Sequence, residues 1–293
     1  MILALWLVYR QRENLLPIIE LSPGYLFLSL LLAFFAIAAT CLGHRASLDI
    51  VGTRIPLLES ASLTVTGMML NKVLPLHGGT VSRFGYLRYR YKMPFTRFTA
   101  GILAWLVVSI LVAGICGLMA TTFFMMSGSE PPLLFFAVFS LQTVLAGTVI
   151  LLRGVIGKLL SKLTGHVTTE SFLKDLGTPQ NLLRLLIPAI TGAGIFVVQV
   201  AVAFKALSLE VDMADAIITG LILFSLTRVA FTPGNIGVRE ILFAATFGAI
   251  GYGADQGVAI ALITRGANLL AVAILGLGMQ RVITRNIAVR KSG

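Results

Sequence analysis

The chain has 293 residues, of which 57% are hydrophobic and only 12% are charged, and its mean hydropathy is +0.94. Soluble domains carry about 25% charged residues, so this composition excludes a soluble protein and predicts a polytopic, all-α membrane protein. The net charge of +11 does not indicate nucleic-acid binding, because the basic residues flank apolar segments as the positive-inside rule expects.

Five segments are apolar and long enough to cross a bilayer as helices. They are residues 21–43, 98–126, 131–152, 185–204 and 256–280, the last of which is interrupted by Arg265. Residues 1–9 are apolar but too short to span, which favours an interfacial helix or the end of a span. No polar stretch is long enough to fold outside the membrane, so we expect one transmembrane domain over residues 1–293.

Two further apolar segments are broken. Residues 57–82 either span once or dip into the membrane and return. Residues 216–226 and 241–254 flank a Pro-Gly-Asn break and predict a re-entrant hairpin. The basic segments 83–97 and 153–184 and the C-terminal tail should be cytoplasmic, and the acidic loop 205–215 should lie outside.

The second break is the most informative motif, because ionisable groups at membrane depth are costly and are functional by default. Residues 232–235 suit a type II turn, with Asn235 as the N-cap of a helix that begins at Ile236. Arg239 then lies in the first turn, where a cation opposes the helix dipole. This placement favours an anion bound where N–H groups and guanidinium groups converge, and a lipid phosphate is the obvious anion.

An alternative is that these charges are structural. Arg239 would then pair with Glu240 or Asp255, and Arg228 and Arg265 would snorkel or cap carbonyls. The run 83–92, in which basic and aromatic residues are interleaved, is typical of a segment that anchors a protein at the membrane interface. A more specific interpretation is that it binds anionic lipid headgroups.

The sequence also predicts an inverted repeat. Residues 71–83 align without gaps on 227–239, so that Lys72 matches Arg228, Gly78 matches Gly234, and Arg83 matches Arg239; Thr80 would cap a helix beginning at Val81. Three predicted spans separate the copies, and an odd number reverses their orientation. In transporters such repeats place broken helices and the binding site near the bilayer midplane.

No sequence pattern predicts catalysis, a cofactor or a metal ion. There is no Gly-rich phosphate loop and no nucleophile elbow, and the histidines lack the spacing of metal ligands.

The run Thr-Pro-Gly-Asn-Ile-Gly-Val-Arg-Glu at 232–240 resembles a motif of the lysylphosphatidylglycerol synthase transmembrane, or flippase-like, family. Asn71 to Pro75, then the Gly-Gly pair and Arg83, are similar to an earlier motif of that family. Asn235 departs from it, since a second glycine is usual there. The resemblance implies a protein that moves or handles a lipid without making it. The residues expected to bind the lipid are Lys72, Gly78, Gly79, Arg83, Arg228, Pro233, Gly234, Asn235, Gly237, Arg239, Glu240 and Arg265.

The leading hypothesis is therefore a flippase-like protein of the plasma (cytoplasmic) membrane that translocates a phospholipid or a polyprenyl-phosphate-linked lipid. Its partners would be anionic membrane lipids, and its C-terminus would be cytoplasmic. The alternative is a non-transporting membrane partner that regulates a lipid- or glycolipid-modifying enzyme. An enzyme acting on lipid phosphates would need an acid-base pair such as Glu240 beside His77.

Overall fold

The structure is a computed structural model that describes residues 22–74, 78–128, 131–152, 178–228 and 235–291, with side chains described up to residue 279. Within these ranges the chain forms nine α-helices and no strand. In chain order they are α1 Pro23–Ile50, α2 Leu57–Val73, α3 Gly78–Tyr91, α4 Phe95–Met126, α5 Leu133–Leu151, α6 Pro179–Ala206, α7 Met213–Leu226, α8 Val238–Ala249 and α9 Ala254–Lys291.

Five of these helices are long and apolar enough to cross a membrane: α1, α4, α5, α6 and the first part of α9, over Ala254–Met279. The prediction of a polytopic helical membrane protein is confirmed. Four of the five extend past the apolar runs from which they were predicted, whereas α5 is slightly shorter than its run. The polar residues His44, Arg45 and Asp49 belong to α1, and α9 passes through Arg265 without a break. Helix propagation adds a hydrogen bond for each residue fixed, so helices continue beyond their apolar stretch.

The chain divides into two compact units, and the division falls within each of the five long helices. Unit 1 contains residues 1–36, 113–141 and 193–272, and therefore α7 and α8. Unit 2 contains residues 37–112, 142–192 and 273–293, and therefore α2 and α3. The expectation of a single transmembrane domain stays a prediction.

In unit 2, α2 and α3 form an antiparallel pair that we call the first hairpin. Helix α2 ends because Leu74 is extended, with φ −87° and ψ 138°, the conformation that a following proline favours. Near the tip Asn71 bonds Gly79, whereas at the base Glu59 contacts residues near the end of α3. Residues 57–82 therefore form part of a hairpin whose two ends lie together, which favours a segment that dips in and returns.

Glu59 holds the base of the first hairpin. Its carboxylate is buried and accepts hydrogen bonds from the hydroxyls of Tyr86, at 2.7 Å, and Tyr91, at 2.9 Å. Arg90 Nε makes a salt bridge to the same oxygen at 3.0 Å. The basic segment 83–97, which we expected to be a cytoplasmic loop, is helical except at residues 92–94, since it belongs to α3 up to Tyr91 and α4 begins at Phe95. The acid that pairs with it comes from α2.

In unit 1, α7 and α8 form the second hairpin, joined by residues 227–237. Its base is closed by Tyr252, whose hydroxyl lies 3.4 Å from the Asp215 carboxylate and 3.3 Å from the Glu210 carbonyl. Burial and the nearby Asp215 raise the pKa of Tyr252 above its usual range, so the phenol stays protonated and donates. Phe243 and Phe247 of α8 pack in one apolar core with residues of α6, α7 and α9, namely Val200, Ala203, Phe204, Ala216, Leu223, Ile260, Ala261 and Ile263.

Candidate functional site

The tip of the first hairpin is built on a close approach of two glycines. A Cβ atom added to Gly79 would overlap the carbonyl oxygen of Gly67, so only glycine fits there. Asn71 Oδ1 accepts the backbone N–H of Gly79 at 2.8 Å and of Thr80 at 3.3 Å. The expectation that Thr80 caps a helix starting at Val81 is wrong: α3 begins at Gly78, and its first amides are capped by a side chain from α2.

Arg83 follows one turn later and is buried, with 6% of its surface exposed. Its guanidinium donates to His44 Nδ1 of α1 at 3.1 Å, and its Nε is buried without a hydrogen-bond partner among the described residues. The His44 ring is itself packed edge-on against Trp105. Within the described part of the chain Arg83 makes no salt bridge to a carboxylate. A buried cation with a neutral partner is costly, and an anion would relieve that cost.

Glu240 organises the start of the second hairpin's returning helix. One carboxylate oxygen accepts the Gly237 N–H at 2.7 Å, and the other pairs with Arg265 of α9 at 2.5 Å. The N-cap is therefore Gly237, at φ +85°, and not Asn235 as expected. Asn235 adopts φ +54°, a region that asparagine tolerates, and its side-chain amide donates to the Thr227 carbonyl at 3.2 Å.

Arg239 contacts different residues from its neighbour Glu240. Its guanidinium donates to the buried Thr264 hydroxyl at 2.8 Å and lies 5.3 Å and 5.9 Å from the ring centres of Phe243 and Phe196. Its Nε is buried and has no hydrogen-bond partner in the described residues. Glu240 acts on Arg239 electrostatically, but both of its oxygens are bonded to other groups. The structural alternative, in which Arg239 is paired with Glu240 or Asp255, is not what the described contacts show.

The other two predicted arginines of this unit, one at the end of α7 and one in α9, make separate contacts. Arg228 lies at the end of α7 with its guanidinium 4.2 Å from the centre of the Phe224 ring, a cation–π contact. Arg265 is held by Glu240. This part of unit 1 therefore gathers three arginines and one glutamate, and it has a surplus of positive charge.

The helix N-termini of both hairpins are occupied by side chains of the protein itself. Asn71 Oδ1 accepts hydrogen bonds from the first backbone amides of α3, and the Glu240 carboxylate accepts one from the Gly237 amide just before α8. The expectation that backbone N–H groups and a guanidinium would together receive an anion therefore fails for these amides. Among the described residues of the two hairpins, the Nε atoms of Arg83 in unit 2 and of Arg239 in unit 1 are buried guanidinium nitrogens without a hydrogen-bond partner.

The other predicted site residues divide between the described and undescribed parts of the chain. Lys72 and Gly78 flank the tip of the first hairpin. Pro233 and Gly234, the type II turn and His77 lie outside the described residues. Sequence reasoning did not single out five residues that hold the arginines or the tips in place: His44, Asn71, Phe196, Phe243 and Thr264. Asn71 stood inside the recognised motif, and Phe243 lies one turn after Arg239 in α8. His44, Phe196 and Thr264 come from distant helices and have no local pattern.

Replacing Glu240 by glutamine should destabilise the protein by about 3 kcal/mol, because it leaves the part-buried Arg265 without its ion-pair partner and weakens the Gly237 cap. Thermal unfolding of the purified protein in detergent measures this loss. Glu210→Gln, which removes an exposed carboxylate from the loop before α7, is the matched control and should leave the unfolding temperature unchanged. Equal unfolding temperatures for Glu240→Gln and the wild type would contradict the role assigned to this pair.

The comparison with known families agrees with this geometry. Residues 1–276 match the family described as lysylphosphatidylglycerol synthase TM region. The chain belongs to this family. The lysylphosphatidylglycerol synthase TM region is the non-catalytic, membrane-embedded part of the synthase, so membership places the chain among membrane proteins related to lipid handling. No curated protein and no solved structure matches the chain significantly.

Proposed function

We propose that the chain is a flippase-like membrane protein that binds an anionic lipid headgroup through its buried arginines and translocates the lipid. The observation that carries the proposal is Arg239, which is buried among aromatic rings and donates to the neutral Thr264 hydroxyl, while its Nε has no hydrogen-bond partner in the part of the chain that the structure describes. Its substrate would be a phospholipid or a polyprenyl-phosphate-linked lipid.

Electrostatics supports an anion as the ligand. An ionisable side chain at membrane depth costs at least about 2.5–3.5 kcal/mol, and proteins retain such groups where they act on ions, substrates or counter-charges. Phosphate matches the planar guanidinium fork better than other common lipid groups do, because two N–H donors can engage two oxygens. Arg83 offers the same chemistry in the first hairpin.

The charges of the connecting segments support the proposed topology. Residues 83–97, residues 153–184 and the C-terminal tail are basic, whereas residues 205–215 carry Glu210, Asp212 and Asp215. The positive-inside rule assigns the basic segments to the cytoplasmic side. The proposal therefore places the protein in the cytoplasmic membrane with its C-terminus inside, and leaves the inverted repeat of the two hairpins as a prediction.

The direct test is lipid translocation by the purified protein in liposomes. Fluorescent phosphatidylglycerol and phosphatidylcholine are incorporated separately, and dithionite quenching measures how much label reaches the outer leaflet. We expect the protein to accelerate movement of phosphatidylglycerol over that in protein-free liposomes, and to move phosphatidylcholine less. No acceleration with any phosphate-bearing anionic lipid would overturn the proposal and favour a non-transporting partner of a lipid-modifying enzyme.

A further inference from the structure

A second basic feature lies in unit 2 and includes Arg45, the residue after His44. A cavity of about 420 Å³ opens between the end of α1, the segment that follows it and the start of α6. Its lining residues are Arg45, Asp49, Arg54, Ile55, Pro56 and Arg184. The volume is within the range of roughly 300–1,000 Å³ that is common for small-molecule sites.

Charge is unevenly distributed around this cavity. Three guanidinium groups surround one carboxylate, and Asp49 interacts electrostatically with Arg45, Arg184 and Arg54, most strongly with Arg45. Yet none of these arginines comes within salt-bridge distance of Asp49 in the described structure. The cavity therefore has an excess of two positive charges.

Arg45 is the lining residue that most directly indicates a binding site. Its Nε is buried and has no hydrogen-bond partner among the described residues, although the side chain lines an open cavity. Arg54 and Arg184 line the same cavity and are exposed. A buried donor beside two exposed cations is an arrangement suited to capture an anion from solvent or from the membrane surface.

We infer that this cavity binds a phosphate monoester or diester and serves as a loading site for the lipid. The inference deepens the proposed function, on which it rests. A headgroup would first be held by the arginines of the cavity before it meets the buried Arg83 of the same unit. The same chemistry would accept the phosphate of a lipid headgroup or a soluble phosphate ester, because both present two or more acceptor oxygens to guanidinium groups.

The test compares four variants with the wild type: Arg45→Gln, Arg184→Gln, Asp49→Asn and, as a control, Arg97→Gln. Arg97 is exposed, lies in the same unit and does not line the cavity. Binding of phosphatidylglycerol to the detergent-solubilised protein is measured by native mass spectrometry, and binding of glycerol phosphate by calorimetry. The lipid measurement is repeated in an Arg239→Gln background, so that lipid bound at the second hairpin does not obscure the result.

We expect each cavity arginine variant to weaken binding about tenfold, the effect of losing one charge-assisted contact. Asp49→Asn should strengthen binding, because it removes the carboxylate that competes with the ligand. This opposite sign keeps the test decisive even if an arginine variant folds poorly. Binding of phosphatidylglycerol alone assigns the site to lipid headgroups, and binding of glycerol phosphate with the same variant pattern assigns it to phosphate esters in general.

Unchanged affinity in all three cavity variants, or weaker binding in Asp49→Asn, would overturn the inference. The experiments can contradict the loading site and the translocation activity independently. Translocation by the wild type together with insensitivity to the cavity variants removes only the loading site. Absence of translocation together with the expected affinity pattern leaves an anion site on a protein that does not move lipid.

Discussion

Arg239→Gln should reduce phosphatidylglycerol translocation by roughly 100-fold, since a lost hydrogen bond to a charged group of about 2.7 kcal/mol corresponds to two orders of magnitude. Glutamine can still bond the Thr264 hydroxyl and fill part of the space between Phe196 and Phe243, but it cannot neutralise a phosphate. The measurement is the initial rate of dithionite-accessible lipid in liposomes.

The same variant should be as stable as the wild type or more stable. Removing a buried cation that makes no salt bridge relieves its desolvation cost, whereas breaking a structural ion pair destabilises the fold. Loss of translocation with an unchanged unfolding temperature is therefore the expected combination. Arg97→Gln should lose neither property. A large drop in the unfolding temperature of Arg239→Gln would instead assign this arginine a structural role and would count against the proposal.

Gly79→Ala should prevent the first hairpin from closing and cost at least about 4 kcal/mol, at the extreme of what single substitutions produce. The added methyl group would overlap the Gly67 carbonyl oxygen, and backbone cannot move aside as a side-chain end can. Because Gly79 also donates to Asn71, the strain falls on the cap of α3 as well. Thermal unfolding and the yield of monodisperse protein in detergent report the effect.

The control for this prediction lies in the same helix. Gly85 has no atom within 4 Å of the position that a Cβ would take. Gly85→Ala should therefore be neutral or slightly stabilising, because alanine has a higher helix propensity than glycine by about 1 kcal/mol. If both variants unfold at the same temperature as the wild type, the close packing of the two glycines does not hold the hairpin together.

Hydropathy was enough to find the membrane-spanning helices, because each must present about 20 apolar residues to lipid. It could not separate a single span from a hairpin at residues 57–82, since both are apolar over a similar length. The distinction depends on contacts between residues far apart in sequence, such as Glu59 with Tyr86 and Tyr91. Neither those partners nor the helical form of the basic run has a local signal.

The arginines of the candidate site could also be found from sequence, because a charge within an apolar segment is conspicuous. Their partners could not. Arg83 was expected beside free helix amides, and its bonded neighbour is His44 of α1. Glu240 could have paired with either Arg239 or Arg265, and only the placement of α9 decides for Arg265. Residue types suggest which charges matter, whereas packing between helices determines which of them remain uncompensated.

In both hairpins the protein's own side chains bond backbone amides at the start of the returning helix, and this affects the range of lipids that the site would accept. Backbone amides at the start of a helix have fixed positions, so they select an anion by its geometry. Guanidinium groups on flexible side chains can reorient, so they select mainly by negative charge. With the amides of Gly79, Thr80 and Gly237 already occupied, a headgroup would be selected by the charge of its phosphate. Uncharged glycerol or sugar groups on the headgroup would then have little effect on binding. Each hairpin would accept chemically diverse lipids that share a net negative headgroup.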